Sequence, residues 1–255
     1  MTTDDGRKGS LDRGLAILEY LAAVREASMA EIADSVNISR SAAYRVMDRL
    51  RETDFVVSFE NGRWRLGPAA ARMAMAAVQS TDVVHAAPDM LRLLVQQTRE
   101  TVGLGVISGD EMVFVYRERG PQAVGVNAEL GARRPLHCTS VGKAYLAALD
   151  PAEHRALIRR IQLAPYTSRT ITSRAALEAE VEDIRGRGWA VEIGELDEAS
   201  GCCGAAVLNH TGRPVAAISV AGPVTRMEGS LERIGPIVAS TAEAISRRLG
   251  YVPPL

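Results

Sequence analysis

The stretch from Ser28 to Arg51 constrains the fold more than any other part of the chain. Ser28-Met29-Ala30-Glu31 is a capping box, in which the Ser side chain closes the first helical turn and the Glu reaches back. Met29, Ile32, Ala33 and Val36 then share one face of a short helix. Asn37 follows, a residue that tolerates the left-handed backbone of a tight turn. Ser39 caps a further helix whose apolar set is Ala43, Val46, Met47 and Leu50, spaced i, i+3, i+4, i+7. Two short helices around such a turn have helix-turn-helix spacing. An earlier helix is expected from an N-cap at Ser10 to about Arg25, with Leu11, Leu15, Leu18 and Leu21 or Ala22 inward.

The outward face of the Ser39-capped helix carries Arg40, Ser41, Ala42, Tyr44, Arg45 and Arg49. Residues 37–51 hold four Arg against one acid, Asp48, although the whole chain of 255 residues has a formal net charge of -1. A bulk polycation is excluded, so contact with nucleic acid has to come from this local patch. Residues 55–59 have strand composition, Asn61-Gly62 is a strong hairpin signal, and Arg63-Trp64-Arg65-Leu66 returns. Alternation sets Arg63 and Arg65 on one face and Trp64 and Leu66 on the other. Three helices followed by a hairpin with outward arginines make a winged helix-turn-helix, and Ser39 and these arginines are expected on double-stranded DNA.

Residues 1–67 therefore form a first domain, and 68–80 a linker helix with almost no polar face, since residues 69–79 carry only Arg72 as a charge. Such a helix has to be buried, either against a second copy or against the second domain. Residues 81–255 change pattern. A helix is expected over 89–99, strands over 102–108, 112–117 and 123–127, and helices over 139–149, 151–161 and 173–187. Strands over 189–195, 203–209 and 215–221 and a last helix over 231–249 complete it. Strands clustered on both sides of a helical block indicate an α+β fold with a mainly antiparallel sheet.

Other chemistries are weak. Gly142-Lys143 is not a P-loop, because His137 stands where the first Gly belongs and Ala144 where Ser or Thr belongs. Adjacent His137 and Cys138 point apart in an extended segment and make a poor nucleophile–base pair. Cys138, Cys202 and Cys203 form no disulfide framework and, with His137, lack metal-ligand spacing. No cofactor or metal is expected. The first eleven residues carry Asp4, Asp5, Arg7 and Lys8 without an apolar core, which is not a signal-peptide pattern. The longest apolar stretch, 214–224, is far short of the ~20 residues of a membrane span, so a cytoplasmic protein is expected. The alternative function is a ligand-binding or hydrolytic enzyme with an accessory DNA-binding domain.

Several segments resemble the IclR family of bacterial transcription regulators, in order and over nearly the full length. They are Leu11-Asp12-Arg13-Gly14-Leu15-Ala16-Ile17-Leu18, Ser41-Ala42-Ala43-Tyr44-Arg45 and Gly62-Arg63-Trp64-Arg65-Leu66-Gly67. Further on come the run from Arg134 to Ala144, Tyr166-Thr167 with Arg169-Thr170-Ile171-Thr172, Arg187-Gly188-Trp189-Ala190-Val191, and Ala216 through Pro223. The chain departs from the family pattern at Asn37, where Gly is usual, at Ala42-Ala43, where Thr-Val is usual, and at Ala205-Ala206, where Ala-Pro is frequent. The resemblance implies a winged helix, a linker helix and a GAF-like effector-binding domain. It also implies a dimer, or a dimer of dimers, on a palindromic operator, and a small organic-acid effector. Carried over position by position, it places Ser140 and Val141 in a loop facing the effector pocket. Glu192, Cys202, Ser219 and Ala221 fall on the opposite wall, with Val126 and Arg134 at its edge. Alternation makes sense of one pair, since Ser219 and Ala221 face the same side of a strand. Ala221 and the branched Val141 favour a carboxylate with a more apolar remainder than a two- or three-carbon keto acid.

Overall fold

The computed structural model describes residues 9–79, 82–122, 125 and 129–253. The chain divides into two compact units, Met1–Ser80 and Thr81–Leu255.

The first unit runs α1 (Ser10–Val24), β1 (Ala27–Ser28), α2 (Met29–Ser35), α3 (Arg40–Glu52), β2 (Val56–Ser58), β3 (Arg63–Leu66) and α4 (Pro68–Gln79). Ser10 is the first helical residue of α1 rather than its cap. Gly9 caps it, and the Asp12 carboxylate accepts the Gly9 N–H at 2.7 Å. The inward face is met in its second half, where Leu21 is buried and Leu18 packs on the core, but not in its first: Gly14 and Ile17 are buried there, whereas Leu11 and Leu15 are 73% and 52% exposed. Both stripes have helical spacing. The one that packs is the one facing Ile32, Met47 and Trp64 in the shared core. The capping box forms, with the Glu31 carboxylate accepting from the Ser28 N–H at 2.7 Å, and Asn37 turns the chain at φ 53°. Ser39 caps α3 by accepting from the Ala42 N–H. The hairpin turns at Gly62, φ 74°, and the wing gains a third strand because β1 pairs with β3, Ala27 opposite Trp64. The sheet order is β1-β3-β2.

The second unit contains α5 (Asp82–Ala86), α6 (Pro88–Thr98), β4 (Thr101–Ser108), β5 (Glu111–Glu118), β6 (Arg133–Pro135), α7 (Ser140–Ala148), α8 (Pro151–Arg160) and α9 (Arg174–Arg187). β7 (Ala190–Ile193), β8 (Ser200–Leu208), β9 (Pro214–Pro223), α10 (Val224–Met227) and α11 (Leu231–Arg248) complete it. Its sheet is antiparallel at every pair, in the order β6-β5-β4-β9-β8-β7. The strand expected over 123–127 lies almost wholly outside the described residues; the described strand beyond β5 is β6.

Strand alternation gives the sheet two cores. Leu104, Cys203, Ala205, Ile218 and Val220 pack on one face with Leu91 and Leu94 of α6 and Val238 and Ile245 of α11. Met112, Phe114, Ala190 and Ala217 face the other way, against Leu146 of α7, Ile158 of α8 and Val181 of α9. The apolar run 214–224 is thus largely β9, a strand inside the sheet with helices over both faces, which explains its near-continuous hydrophobicity.

Candidate functional site

The first unit presents α3. Arg40, Ser41, Tyr44, Arg45 and Arg49 are exposed on it and Ala42 is half-buried. The arginines are not equivalent. Arg49 pairs with Glu52 and Arg51 with Asp48, each at 3.0 Å. Arg40 and Arg45 have no ion-pair partner among the described residues. Positive charge is therefore concentrated on the first two turns, beside N–H groups of Arg40 and Ser41 that have no intrahelical acceptor.

The wing arginines are held differently. Arg63 Nε lies 3.1 Å from one oxygen of Glu26, and Arg65 approaches the other, at 2.9 Å from Nε and 2.5 Å from Nη2. Arg63 also reaches Glu31 at 3.5 Å, and the Arg65 guanidinium stacks 4.5 Å from the Phe59 ring centre. Glu26, which sequence reasoning passed over, is the shared counter-ion of the wing. Along α4 the expected burial is absent within this unit. Ala69 is buried, but Met73 and Met75 are 61% and 58% exposed.

The second unit has a partly open cavity of about 190 Å³ on the α7 side of its sheet. Arg134, Ser140, Val141, Glu192, Cys202, Ser219 and Ala221 all line it. Val126 lies outside the described residues. The lining also includes Phe114, Thr139, Leu196, Asp197 and Ser200, which sequence reasoning missed.

Strand register explains why a space exists here. Gly103, Ser219 and Gly204 stand side by side across β4, β9 and β8. A Cβ on Gly204 would meet the Ser140 carbonyl group at 2.7 Å, so the start of α7 rests directly on β8. A Cβ on Gly103 would meet the Phe114 ring at 2.6 Å, so that ring lies on β4. Ser219 is left between these two neighbours as the floor. The next row along the strands is Glu192, Cys202 and Ala221.

The first turn of α7 supplies donors. Thr139 accepts from the Gly142 N–H at 3.1 Å and its own hydroxyl donates to the Pro135 carbonyl. The Ser140 and Val141 N–H groups stay without intrahelical acceptors at a buried helix N-terminus, where an anionic oxygen is favoured. Glu192 forms the opposite boundary. It accepts from the Glu195 N–H at 2.6 Å and from the Leu196 N–H at 3.4 Å, which fixes the loop after β7. Burial pushes its carboxyl above the usual range, opposed by those hydrogen bonds and by the Cys202 thiol. Burial and Glu192 together hold Cys202 well above the ordinary thiol range, so it is not a nucleophile. Arg134 stacks over Phe114, with its guanidinium carbon 5.6 Å from the ring centre.

Lys143 is fully buried and pairs with Glu195 at 2.6 Å and Glu180 at 3.4 Å. The Gly142-Lys143 dipeptide thus ties α7 to the loop after β7 and to α9. His137 Nε2 bonds the Ala164 carbonyl at 3.0 Å, and burial lowers the pKa of its ring. The three cysteines are free, and no cluster of side chains among the described residues could hold a metal. A larger, more open groove of about 490 Å³ lies beside α8 and α9. Its Arg185 is spent on the Ala147 and Leu149 carbonyls and on His154, closing the end of α7. No helix among the described residues is long and apolar enough to cross a membrane.

A winged helix-turn-helix in one unit and a donor-lined cavity in the other define a ligand-responsive DNA-binding regulator. Residues 10–58 match the IclR helix-turn-helix domain, and residues 75–247 match the bacterial transcriptional regulator IclR C-terminal domain. The HTH-type transcriptional repressor AllR of Escherichia coli K12 is 31% identical over 244 residues, covering 94% of this chain and 90% of that protein. The crystal structure of the Thermotoga maritima IclR is 31% identical with a TM-score of 0.76, over 95% of this chain and 99% of that one. An IclR homolog from Microbacterium hydrocarbonoxydans, crystallised with 4-hydroxybenzoate, shares the fold at 22% identity and a TM-score of 0.81, over 94% and 99% of the two chains. The chain belongs to the IclR family of bacterial transcriptional regulators. These relatives give no support to the alternative of an enzyme with an accessory DNA-binding domain.

Proposed function

We propose that the chain is a cytoplasmic repressor of a catabolic operon that binds a palindromic double-stranded operator as a homodimer, or as a dimer of dimers, and answers to a small organic acid. What carries this reading is one cavity lined by seven of the eight effector residues implied by resemblance, in a chain whose other unit presents unpaired arginines on a capped helix. Arg45 and Arg40 contact base edges or phosphate in the major groove, with Ser39, Ser41, Ala42 and Tyr44 beside them. Arg49 acts on the backbone after leaving Glu52, and Arg63 and Arg65 face the backbone while Glu26 competes with phosphate for them. The uncovered methionines of α4 meet a second copy, which sets two DNA readers at a fixed spacing. The repressor named AllR and the neighbour holding 4-hydroxybenzoate agree with repression and with an organic-acid ligand.

Gel-shift titration tests both halves. Arg45→Ala weakens specific binding by about 1–3 kcal/mol with unchanged far-UV circular dichroism. Ser219→Ala leaves ligand-free DNA affinity intact and blunts the response to the acid. Wild-type affinity in Arg45→Ala removes that residue from the interface. A full response in Ser219→Ala and Ser140→Pro alike places the ligand elsewhere.

A further inference from the structure

We infer that the effector is a monocarboxylate with unlike ends: its carboxylate sits on the first turn of α7, and a hydrogen-bond donor about one ring-width away sits on Glu192. This rests on the cavity reading above and sharpens it.

The carboxylate end follows from unmet groups. Beyond the two free N–H groups of Ser140 and Val141, the hydroxyls of Ser140 and Ser219 line the cavity, only 3% and 4% exposed. Neither hydroxyl has a hydrogen-bond partner among the described residues. Two backbone N–H groups and two hydroxyls on one cavity wall suit an anionic oxygen pair, since within the protein they have no acceptor of their own.

The far end is of opposite character. Glu192 is raised by burial, but one of its oxygens, Oε1, already accepts the Glu195 and Leu196 N–H groups and the Cys202 thiol bonds the carboxyl, so the group is held in place as an acceptor at this end. A ligand atom arriving there meets an acceptor and has to donate. A second carboxylate at that end would face two acids of the lining, Glu192 and Asp197, against one cation, Arg134, which is stacked on Phe114.

The sheet register supplies the spacing. Ser140 rests on Gly204, in the row of Ser219, whereas Glu192 belongs to the row of Cys202 and Ala221. The rows are two residues apart, roughly 7 Å along the strand. Glu192 moreover turns toward residues 195 and 196, away from the first row. A hydroxyl on the carbon next to the carboxylate cannot bridge that interval; one across a six-membered ring can. Phe114 and Ala221 line the interval with apolar surface. A cavity of about 190 Å³ also has room for a ring, since roughly 150 Å³ accommodates benzene.

Calorimetric titration of the intact protein with 4-hydroxybenzoate, benzoate, terephthalate and glycolate tests the assignment. The expected order places 4-hydroxybenzoate at least about tenfold tighter than benzoate, the factor for one hydrogen bond to a charged group. Glycolate follows, and terephthalate binds more weakly than benzoate. In Glu192→Gln, which keeps an acceptor for the Glu195 N–H, the gap between the hydroxylated and plain acids closes and terephthalate gains. The wild-type series decides the matter even if that variant does not fold. Benzoate equal to 4-hydroxybenzoate, terephthalate tighter than benzoate, binding of glycolate alone, or no binding of any probe overturns the inference. Ser219→Leu, which fills the floor, separates the two levels. If it abolishes binding of whichever acid binds, the cavity stands regardless of the order; if binding persists, the cavity reading itself falls.

Discussion

Replacing Glu26 by Gln should tighten DNA binding at low salt. In the protein as folded, one carboxylate faces both wing guanidinium groups, at 3.1 Å from Arg63 Nε and 2.5 Å from Arg65 Nη2. Phosphate has to displace that carboxylate before either arginine neutralises it and frees a counter-ion condensed on the DNA. The pairs are a third to a half exposed, so each contributes only about 0.2–1 kcal/mol to stability, and the variant folds. Freed of Glu26, two additional phosphate contacts steepen the dependence of log K on log salt by up to about 1.8, at about 0.9 per contact. Over a fourfold rise in salt that slope corresponds to a further ~12-fold fall in affinity. Fluorescence anisotropy on a labelled duplex at 50, 100 and 200 mM salt measures it. Neutralising Arg63 and Arg65 in the Glu26→Gln background should remove the added slope. An unchanged slope in Glu26→Gln, with normal circular dichroism, would refute the view that Glu26 competes with DNA for the wing.

Light scattering of the wild-type chain should return at least twice 27.4 kDa, and Met73→Glu with Met75→Glu should shift it toward the monomer. A wild-type monomer at micromolar concentration would contradict the pairing of α4. Gly204→Val forces a side chain into the Ser140 carbonyl group and should lower stability by roughly 1–3 kcal/mol while abolishing acid binding; thermal melting and titration check both. Asp89 is held at about 2 by its two hydrogen bonds to Arg248. Because its folded value is depressed, the pair stabilises fully above the usual carboxylate range and fades as pH falls from near 4 toward 2. Asp89→Asn should flatten the acid-unfolding limb in that window, and an unchanged limb would remove the pair from it.

Legibility in the sequence tracked the range of the interaction. The caps at Ser28 and Ser39 and the turn at Asn37 are decided within four residues, and they stand as expected. The inward face of α1 was not decidable locally, because Leu11-Leu15 and Ile17-Leu21 both have helical spacing and only packing against Met47 and Trp64 selects one. β1 is two residues long and exists only through its partner Trp64. The same holds in the cavity. Ser219 and Ala221 come from the family resemblance, with alternation adding that they share one side of β9, whereas Phe114 enters because Gly103 on the neighbouring strand leaves room for its ring. Lys143 with Glu195, and Glu26 with both wing arginines, join residues tens of positions apart, and no local pattern announces such pairs.

The alternation of β9 has an evolutionary corollary. Ala216, Ile218 and Val220 are committed to the core beneath α6 and α11, so changes there tax the whole unit. Ser219 and Ala221 look into the cavity instead. On the proposed reading, substitutions at these two positions would alter which ligand fits while sparing the opposite layer and leaving α3 untouched. A lineage can therefore exchange one metabolite signal for another in single steps, keeping its operator, and descendants of one ancestor can diverge in what they sense long before they diverge in where they bind.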